Sequence, residues 1–373
     1  MNTLLSLTGH LQTFWEMTAF SHLGIGHIVM LLVGLALIFL AIRYEFQPLW
    51  LVPIGFGILI GNIPFDGFSF LAVSAPMLIP ILVPIVFLGL GALIDFSALI
   101  ANPKLLLIGA LAQFGIFAAF IVTILITGNS FLAGSIGIIG GASAPAAIFV
   151  SAHLTPHLLG IIAIITYLCL ALAPVLQPPI MRILTTDSER VIRMKPLRVV
   201  SQTEKILFPL VGLLLTALLA PKALPLLGML FFGNLLKESG VTRRLAETAR
   251  GTILDIVTVL LGLAVGISLQ AYLFFDMSTL LILAIGAFAF ITATCTAILF
   301  VKVLNLFLKD GNKINPLIGN AGVSAMPEAA RISHTMGLEY DSTNHLRAYA
   351  KGTSAAGLIG AVVAAGILLG FLG

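Results

Sequence analysis

Apolar runs of membrane-crossing length dominate this sequence and leave it little choice of fold. About 20 apolar residues cross the roughly 30 Å hydrocarbon core as a helix. Runs at 23–42, 75–94, 105–126, 157–180, 253–271, 280–301 and 354–372 meet that length, and 206–219 is a shorter eighth candidate. Only 9% of the 373 residues are charged and 59% are hydrophobic, so no soluble packing could cover the apolar surface. The expectation is an all-α polytopic membrane protein of about ten or eleven helical segments. The net charge of +4 lies in loops between apolar runs, which reads as a topology signal and not as a nucleic-acid footprint. Cys169 and Cys295 are 126 residues apart, each inside an apolar run, so neither a disulfide framework nor a metal-ligand spacing is present. No Lys or Arg precedes Arg43, so the first run lacks the basic flank of a cleaved leader and is expected to stay as a helix.

Four other stretches, 49–63, 131–152, 224–236 and 316–330, are apolar but interrupted by Gly and Pro. The second holds Gly134, Gly137, Gly140, Gly141 and Pro145; the fourth holds Gly319, Gly322 and Pro327. One reading is that small residues let helices pack closely. The other is a pair of broken or re-entrant hairpins, whose unwound backbone survives at membrane depth only when buried in protein or lining a cavity. Spacing favours the second. Gly140 and Gly319 are 179 apart, Gly89 and Gly262 are 173 apart, and Pro48 and Pro225 are 177 apart. Interrupted apolar segments at matching places in two halves point to a transport site. The expected organisation is a first membrane repeat over 1–180, a cytoplasmic basic connector over 181–205 and a second repeat over 206–373, with span parity deciding whether the repeats are inverted. The connector carries Arg182, Arg190, Arg193, Lys195, Arg198 and Lys205 against Asp187, Glu189 and Glu204. That excess, like Arg43, places it on the cytoplasmic side and the N-terminus outside.

Charges inside apolar sequence cost about 2.5–3.5 kcal/mol each at mid-membrane, so they are candidates for function. Asp255 lies near the start of a span, Glu328 and Arg331 lie in and just after the second interrupted segment, Lys351 precedes the last run, and Asp95 ends an earlier one. Each has a simpler alternative. Glu328 and Arg331 share a helix face and could pair at the surface. Asp255 could sit at a favourable helix start, and Lys351 could reach to the headgroups.

The string Gly137-Ile-Ile-Gly-Gly-Ala-Ser-Ala-Pro-Ala-Ala-Ile148 resembles a motif of the beta subunits of biotin-dependent sodium-pumping decarboxylases. So do Pro53-Ile-Gly-Phe-Gly57, Asp95 with Asn102-Pro103-Lys104, Gln113-Phe-Gly-Ile-Phe117 and Gln177-Pro-Pro-Ile-Met-Arg182. Lys313-Ile-Asn-Pro-Leu-Ile-Gly319, Ala321-Gly-Val-Ser-Ala325 and Ala329-Ala-Arg331 complete the pattern. The resemblance runs from about Leu23 to the C-terminus, and the strings fall in the right order.

The resemblance implies two inverted repeats with crossing broken helices. It implies an integral inner-membrane subunit that decarboxylates carboxybiotin, consuming a proton and coupling to cation export. Partners would be a biotin-carrier or carboxyltransferase subunit, a small membrane subunit and further copies of the chain, within lipid and without nucleic acid. Asn315, Ser324 and Arg331 keep the family's residues and are the expected catalytic, anion-handling set. The motif aspartate, a presumed sodium ligand, falls on Ser143; a tyrosine falls on Cys169 and an asparagine on Ser354. Glu328 and Lys351 stand where the family has methionine, and Asp255 where it has asparagine. A hard cation wants oxygen ligands with a carboxylate among them, so the expectation is a chain that does not need sodium. In that reading Lys351 replaces the cation and pairs with Glu328 or Asp255, because a lone buried ammonium would lose its proton. The alternative is a secondary transporter of a carboxylate or other small anion on the same fold.

Overall fold

The computed structural model describes residues 13–45, 47–64, 68–271, 277–309, 311–324 and 328–373. Among them there are helices, turns and irregular segments but no strands, as the lengths of the apolar runs predict. Six helices are long and apolar enough to cross a membrane, and a seventh span arises if the bent pair over 156–184 is counted as one. All eight predicted runs fall in helices.

The first half holds α1 (Ile25–Tyr44), α2 (Pro48–Gly61), α3 (Phe68–Leu93), α4 (Lys104–Ala112) and α5 (Phe114–Thr127). It continues with α6 (Ser130–Gly137), α7 (Ala144–Leu154), α8 (Leu159–Ala171) and α9 (Ala173–Leu184). The second half holds α10 (Gln202–Leu219), α11 (Leu224–Glu238), α12 (Arg243–Thr248) and α13 (Leu254–Ile267). It closes with α14 (Met277–Leu306), α15 (Glu328–Tyr340) and α16 (Arg347–Leu372).

Local chemistry sets several boundaries. Gly128, at φ 66°, ends α5 in a conformation that side chains disfavour. The Asn129 side chain then accepts from the Leu132 amide and caps α6. Ser201 and Glu204 form a reciprocal capping box that starts α10 straight out of the connector. Pro174 at the start of α9 puts a 56° bend between α8 and α9.

Two of the four Gly- and Pro-containing stretches form short intact helices. The stretch 49–63 is α2, with Pro53 inside it, and 224–236 is α11. Their glycines serve close packing, the alternative named above. The second helix of each half packs across onto a helix of the other half, α2 on α13 and α11 on α3. A Cβ at Gly57 would come within 2.5 Å of the Leu263 carbonyl oxygen, and one at Gly91 would overlap that of Leu230. Backbones touch at both crossings because no side chain stands between them.

The stretches 131–152 and 316–330 are interrupted, as the spacing predicts. They enter from opposite faces. Arg198 of the connector reaches the Ile100 carbonyl, so α4 starts on the connector face, and the 24 residues to Thr127 carry the chain about 36 Å across. The first hairpin therefore opens on the far face, where the Thr155 hydroxyl donates to Ser135 Oγ at 2.8 Å. The second opens on the connector face. There Asn315 and Asn344, before and after it, both donate to the carbonyls of Arg190 and Ile192. Pro327, counted among the breaks, and Ala325 of the late motif lie outside the described residues.

Candidate functional site

The first interrupted segment leaves α6 through a tight turn at Ile138–Gly141 and re-enters a helix at Ala144. Between them Ala142 adopts φ 49°, a left-handed conformation that costs a residue with a Cβ about 1–2 kcal/mol. It is fully buried and persists because both sides are fixed by packing. Pro145, whose ring presets helical φ, makes re-entry at α7 immediate. The second segment turns through Pro316–Gly322 and becomes extended at Val323. Both are buried throughout their turns, as unwound backbone in a membrane must be.

The two segments touch. The Ser324 amide donates to the Gly141 carbonyl at 3.2 Å. Gln113, at the joint of α4 and α5, holds the crossing: its Nε2 donates to the carbonyls of Gly109 at 2.9 Å, Gly357 at 3.2 Å and Gly322 at 3.4 Å. A Cβ at Gly357 would overlap the Gly322 carbonyl, so α16 lies directly against the second break.

Beside this crossing is a cavity of about 110 Å³ lined by Ser143, Tyr167, Ser324 and Glu328, with Trp50, Leu90, Leu170 and Leu358 as apolar walls. Ser143 Oγ, Tyr167 OH and Ser324 Oγ are buried and have no hydrogen-bond partner among the described residues. A buried polar group left unpaired costs about 1–3 kcal/mol. All three residues line one cavity, so a polar guest there would complete their bonding. Ser354 Oγ and Gln113 Oε1, also buried and unpartnered, belong to the elements that meet at the crossing. Among the described residues no three His, Cys, Asp or Glu side chains converge as a metal site.

The structure sorts the residues picked from sequence into two groups. Ser143, Ser324 and Glu328 meet at the cavity. Cys169 is buried on α8 but does not line it; Tyr167, two residues earlier, does, its ring 5.5 Å from that of Trp50. Ser354 is fully buried in α16, outside the lining.

The structure places four of these residues apart from the expected common site. Asn315 does not share a site with Arg331: both sides of its amide are used by the Arg190 and Ile192 carbonyls and the Leu317 amide. Arg331 is two-thirds exposed and lies in the adjoining groove with Arg182 and Glu339, its fork 2.7 Å from Glu328 Oε2. Lys351 is exposed on the first turns of α16 and makes no ion pair with Glu328 or Asp255. Asp255 is exposed on α13 and lines neither the cavity nor that groove. The pairing of Lys351 with a carboxylate fails because Glu328 already has a cation three residues along its own helix.

Sequence reading missed Gln113 as a tie, Tyr167, and the buried amide pair of Asn320 and Gln177, whose Nδ2 and Oε1 are 3.1 Å apart. It also missed Arg190, which is buried in the connector and bonds Thr185 and Asp187, with its guanidinium 4.6 Å from the Tyr340 ring. Polar residues within apolar runs were a signal for the first four, but a basic loop gives no sign that one of its arginines is buried.

Comparison with known proteins follows this geometry. Residues 26–372 match the family described as the Na+-transporting oxaloacetate decarboxylase beta subunit. The chain is 46% identical to the methylmalonyl-CoA decarboxylase subunit beta of Veillonella parvula, covering 93% of each chain. It is 44% identical to the oxaloacetate decarboxylase beta chain of Klebsiella pneumoniae, covering 94% of this chain and 96% of that one. It is 43% identical to the glutaconyl-CoA decarboxylase subunit beta of Acidaminococcus fermentans, covering 93% and 94%. These relatives lend no support to a stand-alone anion transporter. With its six apolar spans and a match over nearly its whole length, the chain belongs to the Na+-transporting oxaloacetate decarboxylase beta subunit family and is a multi-pass inner-membrane protein.

Proposed function

We propose that this chain is the membrane subunit at which carboxybiotin is decarboxylated, within a biotin-dependent complex. The observation that carries this reading is the cavity at the crossing, with three unpartnered hydroxyls at Ser143, Tyr167 and Ser324. The residues fit the guest. Hydroxyls supply donors for the ureido and carboxylate oxygens, and Trp50, Leu90 and Leu170 give apolar walls for the fused rings. Gln47 and Trp50, which follow Arg43 in sequence, also line the cavity, so access is from the basic face. A biotin-carrier domain of a carboxyltransferase subunit would dock there, against the connector.

The halves 1–180 and 206–373 are read as inverted repeats joined by the connector 181–205. Supporting this are the reciprocal packing of α2 on α13 and α11 on α3 and the opposite entry of the two hairpins. The outward apolar face of α10, with Leu207, Leu210, Leu214 and Leu218, suits a small membrane subunit or a second copy of this chain.

On coupling, neutral Ser143 lines the cavity, and the carboxylate that also lines it, Glu328, is already held by Arg331 at 2.7 Å and so is not free to balance a sodium ion. We therefore read the cycle as independent of sodium. The test is to purify the chain with its native partners and assay carboxybiotin decarboxylation with and without sodium. Activity of similar size in both supports the reading. Strict sodium dependence removes the coupling part, and no decarboxylation with all partners present removes the function itself.

A further inference from the structure

Among the described residues, Glu328 is the only carboxylate that lines the cavity, and its placement is unusual. Oε2 is buried, and among the described residues its partner is the ion pair to Arg331 Nη2 at 2.7 Å. Arg331 in turn is two-thirds exposed and lies along the next groove. The guanidinium thus reaches the cavity wall from outside and is met there by an internal carboxylate. Tyr167 on α8 is the other titratable side chain lining the cavity. On α9, Arg182 faces the groove and is paired with Glu339 of α15. On α16, Lys351 is exposed and unpaired with any carboxylate among the described residues.

Resting on the function proposed above, we infer that Glu328 occupies Arg331 in place of the substrate carboxylate, gives it up when substrate binds, and then carries the proton that decarboxylation consumes. A guanidinium fork prefers a carboxylate offering both oxygens in parallel. When the N-carboxylate of the substrate takes Arg331, Glu328 is left beside a second carboxylate in one small cavity. Two like charges that close do not both stay ionised, so Glu328 takes a proton from water. The carbamate C–N bond then breaks, carbon dioxide leaves, and the bonding pair stays on nitrogen. The Glu328 carboxyl gives its proton to that nitrogen, and its carboxylate returns to Arg331. One proton from water is used per carbon dioxide released, and no other reactant is needed.

Two measurements test this, and they fail independently of one another. The first uses the purified chain in detergent with acetate as the carboxylate probe and reads proton uptake in weak buffer. Wild type should take up about one proton per chain at saturating acetate, and Glu328→Gln none. No uptake by wild type, or equal uptake by both, overturns the inference whether or not the chain decarboxylates carboxybiotin. The second uses the complete complex. Glu328→Gln should lower kcat at least about tenfold with KM unchanged or lower, and Glu328→Asp should restore part of kcat with a shifted pH profile. Wild-type kcat in Glu328→Gln overturns the proton-carrying role.

Discussion

The backbone amide of Ser324 meets the carbonyl of Gly141 at 3.2 Å, so two chain segments 183 residues apart are hydrogen-bonded at the point where both have left helical geometry. That bond spends one orphan donor and one orphan acceptor on each other. It leaves the side chains at 143 and 324 free to face the cavity. The site is therefore built by the breaks themselves and not by residues added to an intact helix.

Ser143→Ala and Ser324→Ala separate function from folding. Removing a buried hydroxyl that has no partner relieves a desolvation cost, so thermal stability in detergent should stay the same or rise. Carboxybiotin decarboxylation by the complex should fall about tenfold, the loss of roughly one hydrogen bond of 1.4 kcal/mol. A large drop in melting temperature would show instead that the hydroxyls hold the fold.

Gly357→Ala should do the opposite. Its Cβ would overlap the Gly322 carbonyl, and backbone cannot swing aside as a side chain can. A loss of about 1–3 kcal/mol in stability is expected, together with loss of activity. Gly370→Ala, where a Cβ meets nothing within 4 Å, serves as the neutral control in the same helix.

Arg190→Lys should loosen the connector. The buried guanidinium bonds Thr185 and Asp187 and lies over the Tyr340 ring, a set that one ammonium cannot reproduce. Trypsin should then cut at Arg193 and Arg198 at least about tenfold faster than in wild type, while the membrane spans stay protected; this corresponds to about 1.4 kcal/mol less stability for the docked connector.

Acid should loosen the same contact. Asp341 accepts from the Thr343 hydroxyl and amide and pairs with Arg193, which hold its carboxyl down at about 2. A depressed folded-state value means that the contribution is full above the unfolded value near 3.8 and is lost as pH falls toward about 2. Connector proteolysis by an acid-active protease should rise across that window. Asp341→Asn should remove the pH dependence, its cleavage being fast at every pH tested.

What the sequence determined by itself is the membrane class, the positions of all eight long apolar runs and the two interrupted segments. These depend on local composition: run length sets what can cross a bilayer, and Gly with Pro sets where a helix cannot continue. The tertiary structure alone decided that 49–63 and 224–236 are intact helices, because a glycine that breaks a helix and one that admits a neighbouring backbone look the same in one dimension. It also decided which polar residues share a cavity. Asn315 and Ser324 are nine residues apart, yet one is consumed by the connector and the other faces the cavity, and Tyr167 lines that cavity where Cys169 does not. Charge partners were equally out of reach of the sequence. Lys351 and Arg331 were both candidates for Glu328, and the side-chain reach of a three-residue spacing on one helix settled the pairing in favour of Arg331.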